Sequence, residues 1–151
     1  VQPHPDFADD APPRSADLGA FRLAPLGPDV TEEDFAAVTG SVGVLRGLFG
    51  NDWPDGLTLE EDRIDLAWHE REFTLARSFA WVLRDGGGVY LGCAYVFPAP
   101  GERGRGQVFM WLVETPERQE RLAAWRPVLE AWLARWLPEG GGYVWRVNDQ
   151  N

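Results

Sequence analysis

The chain has 151 residues and a mass of 16.9 kDa, the length of one domain and enough to bury a core. Hydrophobic residues make up 44% and charged residues 25%, a balance that excludes wholesale disorder. Lys+Arg is 14 against Asp+Glu 24, a formal charge of −10. That field repels phosphate backbones and anionic lipid, so neither nucleic acid nor a membrane is expected as a partner.

Every basic residue is Arg, which removes lysine Schiff-base and lysine general-base chemistry. The single Cys93 cannot form an internal disulfide, and its apolar surroundings read as those of a buried, inert thiol. No apolar run approaches the ~18 residues of a membrane span. No signal peptide is read at the start, so a cytoplasmic protein is expected.

Residues 1–20 carry Pro3, Pro5, Pro12 and Pro13 among acids and read as a mobile tail. Residues 21–26 alternate as a short strand, with Pro25 near an edge. Thr31 followed by Glu32, Glu33 and Asp34 opens a helix. Phe35, Val38, Val42, Leu45 and Phe49 continue it as one apolar stripe. After a break at 51–56, Thr58 and Glu61 form a capping box for a second helix that runs to about Arg77.

Residues 78–83, 89–97 and 107–114 are strand-like and joined by short turns, which predicts an antiparallel meander. Thr115 and Pro116 predict the start of a third helix, whose stripe is Leu122, Trp125, Leu129, Trp132 and Trp136. Pro127 is expected to kink it. Residues 143–147 form a last strand, and the helix-long connection predicts that it lies parallel to 107–114. The reading is a tail at 1–20, one domain at 21–147 and a short tail at 148–151.

This order, an α/β (α+β) mixed sheet of β-α-α-β-β-β-α-β, resembles the GNAT superfamily, the Gcn5-related N-acetyltransferases. The stretches Trp53-Pro54, Leu57 to Glu61 and Leu91 to Tyr95 are similar to a group of bacterial GNAT-like proteins. The resemblance implies an acetyl-CoA site where the strands at 107–114 and 143–147 splay apart. Leu112 and Val113 would hold the pantetheine arm by backbone contacts.

Gln119, Glu120, Arg121, Leu122, Ala123 and Ala124 stand where the family has its pyrophosphate loop, Q/R-x-x-G-x-G/A. Glycine there lets phosphates approach backbone N–H donors at a helix start. Gln119 and Ala124 fit that pattern. Leu122 replaces the first glycine, and its side chain is expected to narrow the phosphate approach. Glu120 adds a like charge that Arg118 and Arg121 partly offset. The family continues past its fifth strand with a helix and two more strands, whereas this sequence stops four residues after Val147. A shortened, degenerate member is therefore expected.

The resemblance implies transfer of an acetyl group from acetyl-CoA to a small-molecule or peptide amine, with Glu114 as the general base. The rival reading is a non-catalytic ligand-binding or dimerisation module on the same scaffold. The exposed last strand predicts a homodimer under either reading. Asp65, His69 and Glu72 share one helix face and have metal-ligand spacing, but a surface histidine is the commoner meaning of that pattern. Most of the eight tryptophans fall on core positions, and an aromatic platform for a sugar or acyl group is the alternative.

Overall fold

The structure is a computed structural model that describes residues 2–150. Its strands are β1 (Ala16–Asp17), β2 (Arg22–Pro25), β3 (Phe79–Arg84), β4 (Tyr90–Pro98), β5 (Gly106–Leu112) and β6 (Tyr143–Val147). Its helices are α1 (Thr31–Thr39), α2 (Val42–Leu45), α3 (Leu59–Thr74) and α4 (Arg118–Leu133). The strands lie in sequence order in one sheet, antiparallel from β1 to β5, with β6 parallel to β5.

Strand alternation divides the core into two layers. Trp81, Leu83, Val108, Met110 and Leu112 face α4, where they meet Leu122, Trp125, Leu129 and Leu133. Val82, Cys93, Tyr95, Phe109 and Trp111 face the opposite side, against Val38 of α1, Leu45 of α2 and Leu66 of α3. The meander and the parallel crossover agree with the sequence reading. At Gly92, a Cβ would stand 1.9 Å from the Trp111 carbonyl oxygen, so only glycine lets β4 approach the end of β5 this closely.

Several expectations need correction. Residues 2–20 are not a loose tail. Phe7 is buried edge-on against Phe79, with ring centroids 4.8 Å apart. His4 Nε2 bonds the Ala99 carbonyl at 2.8 Å, Gly104 N–H donates to Asp6, and Tyr143 Oη donates to Asp6 Oδ2 at 2.7 Å. Pro5 opens a short 3-10 helix, Pro5–Phe7, that these contacts hold against the sheet.

The expected continuous helix from Thr31 breaks after Thr39. The Gly40 and Ser41 junction lets Ser41 Oγ accept the Glu114 N–H at 3.0 Å, a bond from the helix layer to the end of β5. The last helix starts at Arg118 rather than at Thr115, whose hydroxyl is buried without a hydrogen-bond partner among the described residues and caps nothing. Residues 148–150 are fastened to the sheet and to α4 rather than trailing from β6.

Candidate acyl-CoA notch and its surroundings

The ladder between β5 and β6 ends at Met110 opposite Val147. Beyond it β6 leaves the sheet, and the Leu112 backbone groups on that side lose their strand partner. The Asn148 side chain replaces it. Leu112 N–H donates to Asn148 Oδ1 at 3.0 Å, and Asn148 Nδ2 donates to the Leu112 carbonyl at 2.8 Å. One carboxamide therefore satisfies both groups, and Asn148 is only 3% exposed. Val113 N–H is already spent on the Leu91 carbonyl at 2.8 Å across β4. Of the two residues expected to offer backbone contacts, only Leu112 turns both its groups to the notch.

The start of α4 closes the other side. Arg118 is buried and donates to the Asn148 carbonyl and, at 2.8 Å, to the Gln150 carbonyl. Gln119 Nε2 donates to the Asp149 carbonyl at 3.2 Å. Carbonyl oxygens of residues 148–150 are thus held by side chains of the first turn of α4.

Leu122 does not face this mouth. It is 4% exposed within the core layer beneath α4, so it blocks no phosphate and a glycine there would open a cavity. Glu120, Ala123 and Ala124 are exposed on the outer face, with Arg121 half-buried. Residues 148–150, not Leu122, are what contact Leu112 and the start of α4 at this opening. Glu114 is exposed on the rim, its Oε1 3.3 Å from where a Cβ on Gly43 would lie, and its N–H is fixed by Ser41. No second acid or base contacts it among the described residues.

On the opposite face of the sheet lies a buried polar cluster that the sequence reading missed. Asp34 of α1 and Asp62 of α3 are 3% and 2% exposed. The two carboxyls adjoin, Asp62 Oδ2 has no other hydrogen-bond partner among the described residues, and Tyr90 Oη donates to Asp34 Oδ1. Tyr90 Oη and Cys93 Sγ are 3.0 Å apart, and Trp111 Nε1 donates to Tyr95 Oη at 2.9 Å. Burial, and then hydrogen bonding with the adjoining Asp34 carboxyl and its charge, push the Asp62 carboxyl up to about 9. Burial also raises the Cys93 thiol well above its ordinary range, which agrees with the expected inert cysteine.

The helix face of Asp65, His69 and Glu72, read chiefly as carrying a surface histidine, differs from that reading. His69 is buried rather than on the surface, with Nε2 3.3 Å from Asp65 Oδ2, while Glu72 pairs with Arg77 at 2.7 Å. Among the described residues no three His, Cys, Asp or Glu side chains group as metal ligands, and no helix is long and apolar enough to cross a membrane.

A mixed sheet that opens beside its parallel crossover, with a helix start at the opening, defines the GNAT fold, and this chain has it. Three solved structures illustrate the likeness. The chain is similar to RimL, a ribosomal L7/L12 alpha-N-protein acetyltransferase, at 14% identity and a TM-score of 0.63, over 80% of this chain and 65% of that one. It is similar to a GCN5-related N-acetyltransferase from Brucella melitensis at 17% identity and a TM-score of 0.55, over 90% and 60%. It is similar to MccE, a microcin C7 self immunity acetyltransferase in complex with acetyl-CoA and AMP, at 8% identity and a TM-score of 0.60, over 83% and 71%. The chain thus spans roughly two thirds of the length of such structures. No family model matches it, and no curated protein matches it by sequence.

Proposed function

We propose that this chain is an acyltransferase that uses the notch between β5 and β6 to hold acyl-CoA and passes the acyl group to an amine. The observation that carries this reading is the Leu112 backbone. Its N–H and C=O are spaced to grip one amide, and the Asn148 carboxamide is what they grip. A pantetheine arm carries amides with the same donor and acceptor. The N-terminus of α4 and the buried Arg118 guanidinium suit its phosphates. For such a ligand to enter, residues 148–150 must give up these contacts, so they act as an internal competitor.

Bound acyl-CoA would supply an activated thioester carbonyl. Glu114, exposed on the rim and held through its N–H by Ser41, would take a proton from the acceptor ammonium. With acetyl-CoA and a panel of small amines, thiol release should be detectable. Glu114→Gln should lower kcat about tenfold or more at unchanged donor KM. Absence of thiol release across the panel, or an unimpaired Glu114→Gln variant, counts against this assignment. The Cys93 thiol will not disturb a thiol-reactive readout, because it is fully buried.

The free edge of β6 supports a second copy as partner. It ends the sheet, and Val144 is half-exposed on it. Light scattering should give twice the 16.9 kDa of one chain, and the mass of a single chain would contradict a dimer.

A further inference from the structure

On the α3 side of the sheet, away from the β5 and β6 notch, five aromatic rings wall a pocket of about 240 Å³. They are Phe49, Trp53, Trp68, Tyr95 and Phe97. Phe49 meets Trp53 edge-on at 5.1 Å and Tyr95 edge-on at 5.4 Å, while Tyr95 and Phe97 stack at 5.5 Å. The volume is below the roughly 300–1,000 Å³ of pockets for drug-sized ligands, so the occupant is small.

Three polar side chains complete the lining: Asn51, Asp65 and His69. Asn51 Oδ1 is engaged by the Trp53 N–H at 3.1 Å. His69 is 7% exposed, set edge-on to Trp68 at 5.1 Å and stacked on Phe97 at 6.2 Å. Its Nε2 lies 3.3 Å from Asp65 Oδ2, and that half-exposed carboxylate lines the pocket.

The charge and chemistry of this lining choose among ligand classes. No arginine lines the pocket, so an anion has nothing to pair with. A sugar would need several hydrogen-bonding groups, and of the three side chains present Asn51 Oδ1, Asp65 Oδ2 and His69 Nε2 already face protein partners. A metal ion would find one carboxylate and one imidazole among hydrocarbon rings. An organic cation meets five aromatic side chains, a residue type whose rings attract positive charge within about 6 Å, and a carboxylate beside them.

We infer that this pocket binds a small alkylammonium cation of about the size of choline, with the rings enclosing the substituted nitrogen and Asp65 supplying the counter-charge. The site does not depend on acyl transfer and would stand if that reading failed.

The test is calorimetric titration of the native chain with choline and with 3,3-dimethylbutan-1-ol, which replaces the charged nitrogen by carbon at the same shape. The expected result is choline binding at least tenfold tighter than the neutral isostere. Asp65→Asn, a change at an exposed carboxylate whose melting curve should match the native one, should weaken choline at least fivefold and leave the isostere unchanged. Equal binding of the two compounds, no choline binding at tens of millimolar, or full choline affinity in a folded Asp65→Asn variant would overturn the inference.

Discussion

Asp62→Asn should unfold at a higher temperature than the native chain at pH 8 and at about the same temperature at pH 4. Asp62 is buried beside Asp34, and its carboxyl is pushed up to about 9 when folded, against an ordinary value near 4. Between those two values the folded chain holds a proton that the unfolded chain has released. Stability from this group is therefore fully present below about pH 4 and is lost progressively as pH rises toward 9. A carboxamide at position 62 keeps the donor to Asp34 without a titrating proton. Linkage between those two values puts the gain at pH 8 at about 5 kcal/mol, or about 10–20 °C for a chain of this length. Thermal melts of both proteins from pH 4 to 9 measure it. Parallel curves across that range would mean that the two carboxyls do not share a proton.

Phe7→Ala should lose about 3–5 kcal/mol of unfolding free energy in urea. The ring is 2% exposed, meets Phe79 at 4.8 Å and lies 6.4 Å from Tyr143. It joins the α4-side core, and the flanking bonds of His4 and Asp6 position it there. A residue in a mobile tail would show a change below about 0.5 kcal/mol, so the two descriptions of this segment differ severalfold in a single experiment.

Much of the fold was legible because its signals are local. The apolar runs of β3, β4 and β5, the capping box of Thr58 and Glu61, and the helix-long connection to β6 each lie within one stretch of chain. The packed N-terminal segment was not legible, since His4 and Asp6 find their partners 95 and 98 residues away. A proline-rich, acidic composition cannot report those contacts. The break between α1 and α2 has the same cause, because the Ser41 hydroxyl serves Glu114, 73 residues on.

The candidate site was legible in place but not in detail. Element order located Leu112 at the opening, yet nothing in the sequence marks Asn148 as the group that fills it. The inward direction of Leu122 was present in the sequence, since it shares a stripe with Trp125 and Leu129. Alignment with a glycine pattern obscured that periodicity. Asp34 read as a first-turn acid, although it stands four residues before the buried Val38 on the same helix face.

The notch is tested most directly by titrating acetyl-CoA and desulfo-CoA into the native chain and into Asn148→Ala by calorimetry. Removing the carboxamide leaves the Leu112 N–H and C=O without a partner, which should cost about 1–3 kcal/mol of stability in the absence of ligand. A bound pantetheine amide would restore those bonds. The account predicts measurable binding by the native chain, at least fivefold tighter binding by Asn148→Ala, and recovery of its lost thermal stability at saturating acetyl-CoA. If a folded Asn148→Ala variant binds neither compound, the opening between β5 and β6 is not an acyl-CoA site.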